Sequence, residues 1–259
     1  MGYTQVAVCV SESQQKIYVT FRGTDIMEFP DVLANLNILW DDYGPATKVT
    51  GIMNKHKNDH VPTVDIPGKV QRGWNRKVFN PRLYIPLSEK ILQTKKDYPE
   101  YGVVIAGHSL GAALSILYGA YVAKHVLPDE AVEVMNLGAP RVGDETFYQS
   151  LQKIPNLTIW RLVFRDDIVA RCPPMWMGYR HVGHMLHWDK DDKVKAYHTQ
   201  LETCMDSKCY AGIKPRDWNI LFGVIKHHEH SNYKCIVDEA KKDPERHWPK
   251  GFEILEKED

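Results

Sequence analysis

The sequence predicts an α/β fold, a mostly parallel central sheet with helices on both faces. Two observations carry this. Apolar runs of strand length alternate with segments of helical periodicity across the middle of the chain, the pattern of βαβ units. One junction, Val103-Val104-Ile105-Ala106 followed by Gly107-His108-Ser109-Leu110-Gly111 and then Ala112 to Tyr118, reads as strand, sharp turn and helix.

Composition bounds the rest. The chain has 259 residues with 43% hydrophobic side chains, enough for one well-buried domain spanning 1–259. Lys+Arg and Asp+Glu are equal at 33 each, so no basic field points to nucleic acid. No apolar run reaches the ~18 residues of a membrane span. The N-terminal residues show no signal-peptide pattern, and the five scattered cysteines favour an intracellular over a secreted setting, with a Cys204–Cys209 bridge as the alternative.

In order, Gln5–Val10 and Ile17–Phe21 read as a hairpin. Asp25 to Trp40 carries Phe29, Val32, Leu33 and Leu36 on one helical face, either packed on the core or acting as a short lid over about 25–40. Short strands are expected near Thr47–Thr50 and Lys69–Gln71. Trp74 to Lys96 has helical character that Pro81 and Pro86 should break or kink, with Leu87–Asp97 the better-defined helix. The helix after Ser109 extends to about Val126. Strands at Val132–Leu137 and Leu157–Phe164 flank a helix at about Asp144–Lys153. Ile168 to Pro215 reads as irregular, Trp218–His228 as a helix, and about 238–259 as a charged, solvated tail.

The Gly-His-Ser-Leu-Gly turn makes Ser109 a candidate nucleophile. Glycines are needed where strand folds back into helix, and the helix N-terminus offers N–H groups to a developing negative charge. A serine hydroxyl needs a base in reach and a carboxylate to orient that base. Asp166 or Asp167, at a strand end, can supply the acid. Downstream histidines at 181, 184, 187, 198, 227, 228, 230 and 247 can supply the base. The spacing of His181, His184 and His187 invites a metal reading but lacks a zinc-hydrolase pair, so no metal is expected.

The chain resembles the class 3 lipases, the α/β-hydrolase group of fungal triacylglycerol lipases and their relatives. The resemblance rests on Phe21-Arg22-Gly23-Thr24, Asp31 to Leu36, Val70 to Trp74, Gly107 to Ala112, Gly138 to Gly143, Asp167-Ile168-Val169, Pro173-Pro174 with Gly178 to Gly183, and Glu229-His230-Ser231-Asn232-Tyr233. It implies an α/β-hydrolase fold with a helical lid and a triad of Ser109, Asp167 and His230. It further implies oxyanion donors at Thr24 and Leu110, and a lid whose Phe29, Val32, Leu33 and Leu36 meet substrate.

The implied activity is carboxylic-ester hydrolysis, of acylglycerols above all, without a cofactor and with peripheral contact at a lipid surface. Feruloyl or short-chain esterase and phospholipase A1 are the nearest alternatives; an inactive binding protein on the same scaffold is the alternative from another class. Three departures from the family stand out. The resemblance starts almost at the first strand, where the family normally carries a helix and further chain. Glu229 precedes His230, where Asp is common. Val169-Ala170 stands where the family has Val-Pro.

Overall fold

The computed structural model describes residues 4–23, 39–45, 65–165, 167–188, 194–198 (backbone only) and His228. Among them a seven-stranded sheet runs in the order β1-β2-β5-β6-β7-β8-β9. Strands β1 (Val6–Ser11) and β2 (Lys16–Phe21) form the expected antiparallel hairpin. From β2 the sheet is parallel through β5 (Gly102–His108), β6 (Val132–Leu137), β7 (Leu157–Phe164) and β8 (His184–Trp188). Strand β9 (Val194–His198) closes the order antiparallel. A two-stranded sheet joins β3 (Trp40–Asp42) to β4 (Lys69–Gln71).

The helices are α1 (Arg72–Val78), α2 (Pro81–Asp97), α3 (Leu110–Tyr121) and α4 (Glu145–Leu151). Helix α3 is apolar all round, and every residue from Gly111 to Tyr121 is buried, the signature of a central core helix. It lies close enough to β6 that a Cβ on Gly119 would fall 2.4 Å from Val134. Tyr43 donates its hydroxyl proton to the Leu117 carbonyl at 2.6 Å, tying the β3 side of the molecule to α3. Around this contact Tyr43, Phe79, Tyr84 and Tyr121 pack edge to face.

The described helices begin where their caps allow. Asn80 accepts from Arg82 N at 3.0 Å with Pro81 as the first helical residue of α2. Asp144 accepts from Phe147 N at 2.8 Å to start α4. After α3 the chain makes a π-helical turn, Val122–Val126, where the expected end of that helix fell.

Three expectations are corrected. Pro86 does not break α2, although it removes one helical hydrogen bond at a cost of about 3 kcal/mol. Burial of Tyr84, Leu87 and Ile91 on the same helix offsets this, since tertiary packing supplies most helical stability. Trp40 belongs to β3 rather than to a helix, because its ring stacks on Tyr179 at 4.0 Å and its strand pairs with β4. Third, 168–215 is not wholly irregular. It contains β8 and β9, and β8 puts Met185, Leu186 and Trp188 into buried positions beside β7. His184 and His187 lie on β8, between β7 and β9. Thr47–Thr50, the helix expected at Trp218–His228 except its last residue, Cys204 and Cys209, and the tail at 238–259 lie outside the described residues.

Candidate active site

Parallel pairing in register brings the C-terminal ends of β2, β5, β6 and β7 to one edge of the sheet. Phe21 pairs with Gly107, His108 with Leu137, and Leu137 with Leu162. The residues just beyond these strands are therefore neighbours: Gly23, Ser109, Gly138 and Asp167. Open α/β sheets bind their ligands at this edge.

Ser109 caps α3 with φ 60° and ψ −123°, a left-handed conformation that a serine adopts only when its surroundings impose it. A serine at a helix start ordinarily turns its hydroxyl onto a helix N–H. Ser109 makes no such cap, and its buried Oγ has no hydrogen-bond partner among the described residues. The flanking glycines are required by close approach. A Cβ on Gly107 would fall 2.3 Å from the Gly111 carbonyl, and one on Gly111 would fall 2.2 Å from the Phe21 carbonyl oxygen. Leu110 is the first helical residue, so its N–H has no intrahelical acceptor.

The chain leaving β2 passes against this turn. A Cβ on Gly23 would meet His108 O at 2.6 Å and Ser109 Cβ at 3.5 Å. Thr24, the expected oxyanion donor, follows directly but lies outside the described residues. So do Phe29, Val32, Leu33 and Leu36 of the expected lid, and Asp166.

Asp167 is completely buried. Arg165, two residues earlier, takes φ 44°, and Asp167 N donates to Phe164 O at 3.0 Å, so a tight turn sets the acid at the end of β7. One carboxylate oxygen, Oδ1, accepts from Val169 N at 2.8 Å. The other, Oδ2, accepts from His228 Nδ1 at 2.9 Å. Both partners of this pair are buried, with side chains 0% and 2% exposed. The bond leaves Nε2 as the ring's second nitrogen, the arrangement that orients a general base.

Among the described residues the histidine on the acid is His228. The expected base, His230, lies outside the described residues.

Two further residues shape the pair. Gly138, at φ 57°, sits so close that a Cβ would fall 2.6 Å from Asp167 Oδ2 and 2.9 Å from His228 Nδ1. His108 stacks on the His228 ring, with centroids 4.6 Å apart and planes at 21°, and donates from Nε2 to the His228 carbonyl at 3.0 Å. Sequence reasoning placed Gly138 and His108 inside motifs without giving them roles. Their signal was present as a glycine directly after a strand and a histidine directly before the serine.

A buried basic group packs on the segments at 170–173 and 182. Arg141 donates from its backbone N to Cys172 O at 2.8 Å and from its guanidinium to Pro173 O at 2.9 Å, holding the 172–174 segment in place. Arg161 donates to Val182 O at 2.8 Å and is fully buried. His181 donates from Nε2 to Ala170 O at 2.6 Å. Burial, then the Arg161 and Arg141 guanidinium charges, hold its pKa well below the usual histidine value. Burial pushes the Cys172 thiol up to about 11, so it is a packing residue and not a reactive thiolate. A shallow groove elsewhere, between α4, β7 and β8 and lined by Tyr148, Gln152, Thr158 and His184, holds none of the active-edge groups.

A parallel sheet with a strained serine at the strand–helix turn after β5 and a buried Asp–His pair beyond β7 defines an α/β-hydrolase. The chain belongs to the class 3 lipase family, whose profile, "Lipase (class 3)", matches residues 18–177. It is 29% identical over 203 residues to a lipase of Rhizopus niveus and 27% identical over 216 residues to a lipase of Rhizomucor miehei, alignments covering 74% and 82% of this chain. A rice protein named phospholipase A1-II 4 is 34% identical over 206 residues, or 73% of this chain. These alignments cover 44%, 52% and 48% of the relatives, so the chain spans about half the length of the curated proteins it matches.

Solved structures agree on the fold. The Rhizomucor miehei triacylglyceride lipase superposes with a TM-score of 0.59 at 24% identity, covering 73% of this chain and 63% of that one. A lipase of Rhizopus microsporus var. chinensis superposes with a TM-score of 0.57 at 26% identity, covering 71% of this chain and 56% of that one.

Proposed function

We propose that the chain is a serine carboxylic-ester hydrolase acting on acylglycerols, with Ser109 as nucleophile, His228 as general base and Asp167 as the acid that orients it. The observation that carries this reading is the buried 2.9 Å bond between Asp167 and His228 at the sheet edge where Ser109 stands. In the reaction Ser109 Oγ attacks the ester carbonyl while His228 Nε2 takes its proton. The tetrahedral oxyanion collapses, the C–O bond to the alcohol breaks, and His228 returns the proton to the leaving oxygen. Water then attacks the acyl-enzyme with the same base, releasing the fatty acid and restoring Ser109. The Leu110 and Thr24 N–H groups receive the oxyanion; each such donor contributes about 3–4 kcal/mol to the barrier reduction.

The substrate assignment is supported by family membership and by the lipases among the relatives. The rice relative's name favours phospholipids as the second substrate class. Such substrates form their own phase, so the protein works in peripheral contact with a lipid surface. Among the described residues no helix is long and apolar enough to cross a membrane.

A second reading of the base has its own support. Glu229-His230-Ser231-Asn232-Tyr233 is the segment that resembles the family's base motif, which assigns the role to His230. The geometry favours His228, and paired variants separate the two, as set out in the Discussion.

Labelling by a fluorophosphonate probe tests the whole scheme. Wild-type protein should label and Ser109→Ala should not; an unlabelled wild type overturns the hydrolase reading. Hydrolysis of tributyrin, phosphatidylcholine, a feruloyl ester and a p-nitrophenyl ester series then ranks the substrate classes.

A further inference from the structure

The segment leaving the triad acid ends in an exposed apolar turn that ester chemistry does not use. Met175-Trp176-Met177 form a 3-10 turn in which no residue is buried, and the Trp176 ring is 76% exposed. Isolated apolar side chains on a surface need no explanation. Here the turn is held out from both ends. Pro174 O accepts from Met177 N at 3.1 Å, and Met175 O accepts from Gly178 N at 2.9 Å and from the Arg180 guanidinium at 3.3 Å. Before the turn, Arg141 fixes the Cys172 and Pro173 carbonyls. After it, Tyr179 is fully buried and its ring stacks on Trp40. The indole is therefore displayed by a rigid pedestal and is not the frayed tip of a loop.

A second exposed apolar side chain lies one residue from the Trp40 ring that packs by the end of the turn. Leu39, 44% exposed, precedes Trp40, whose ring lies 3.6 Å from where a Cβ on Gly178 would stand. The pedestal also connects to the active edge, since Arg141 belongs to the same short segment as Gly138, which packs on Asp167 and His228. Beside the turn the Arg180 guanidinium is neutralised by Glu145 at 3.0 Å, and beside Leu39 the Arg72 guanidinium is turned onto the Trp40 carbonyl at 3.0 Å. Such a surface is suited to an uncharged apolar phase better than to an anionic membrane, and an indole with an apolar body and one N–H donor settles at the boundary of lipid and water.

We infer that Trp176, with Met175 and Met177 on the same turn and Leu39 next to Trp40, is a fixed anchor that seats the protein on the surface of neutral-lipid droplets. This rests on the proposed lipid substrate and adds the residues that meet its phase.

The test uses the full chain and triolein droplets. Partition of wild type, Trp176→Asp, Trp176→Ser, Trp176→Phe and Leu39→Asp onto droplets is measured by flotation. Hydrolysis of dissolved p-nitrophenyl acetate and thermal melting are followed in parallel. Trp176→Asp and Trp176→Ser should partition about tenfold or more weakly and Trp176→Phe close to wild type, with melting and dissolved-ester rates retained, and Leu39→Asp should partition more weakly than wild type. Equal partition of Trp176→Asp and wild type overturns the anchor, as does a wild type that stays off the droplets. Self-association of lipid-free wild type that Trp176→Asp abolishes overturns it in favour of a second copy on this face. Binding to phosphatidylglycerol vesicles in preference to triolein overturns the neutral-lipid assignment. Ser109→Ala separates this inference from the hydrolase reading: it should stop hydrolysis and still float with the droplets.

Discussion

Asp167 accepts a hydrogen bond from His228 at 2.9 Å while both side chains are shut off from solvent. A carboxylate so enclosed is satisfied only by partners that stay in place, and the His228 ring and the Val169 N–H are such partners of Asp167. The pair is thus a fixed element of the fold, set beside the strained serine before any substrate arrives.

If this pair orients the base, Asp167→Asn should lower the ester turnover on the order of 10⁴-fold, because an amide donor in its place favours the wrong histidine tautomer. Asp166→Asn should leave turnover within a few-fold. Steady-state kinetics on a dissolved ester checks both, and the reverse ranking removes Asp167 from the triad.

His228→Ala and His230→Ala separate the two readings of the base. The geometry predicts a loss of at least about 10⁴-fold for His228→Ala and a much smaller one for His230→Ala. A collapse confined to His230→Ala would transfer the role to the residue indicated by family resemblance.

Gly138→Ala should damage the site more than the fold. The left-handed backbone costs a β-carbon about 1–2 kcal/mol, and that carbon would press on both Asp167 Oδ2 and His228 Nδ1. Displacing the pair by a fraction of an ångström is expected to cost about 10²-fold in kcat with a folded protein by circular dichroism. Unchanged kcat would show that the pair tolerates displacement.

Gly111→Ala tests the turn from beneath. Its Cβ would fall 2.2 Å from the Phe21 carbonyl oxygen, and neither backbone can yield without shifting β2 against α3. A loss of about 1–3 kcal/mol in denaturant unfolding is expected, with fluorophosphonate labelling of Ser109 slowed in the protein that remains folded.

His181 makes stability depend on acid. Its folded pKa lies well below the usual 6.5, so between the two values the unfolded chain binds a proton that the folded chain refuses. Stability from this residue is full above pH 6.5 and falls as pH drops below it, by up to about 1.4 kcal/mol per pH unit. Urea midpoints for wild type and His181→Gln between pH 7.5 and 5 should converge as the pH falls. Parallel curves would remove His181 as the source.

The sequence by itself determined the strand–turn–helix around Ser109, the hairpin, the parallel strands on either side of Asp144 and the family. These features are local or patterned: two glycines at a turn, alternation of apolar runs, a serine between them. It also narrowed the acid to neighbouring residues at one strand end. Only the tertiary structure decided what depends on contacts between distant segments. The long helix through Pro86 survives because Tyr84, Leu87 and Ile91 are buried, and β8 forms because β7 offers it an edge. His228 stands on Asp167, 61 residues away in sequence, a contact that no spacing rule predicts. A triad acid and base are selected by which side chains meet after the sheet edge is assembled, and chain order states only that they can.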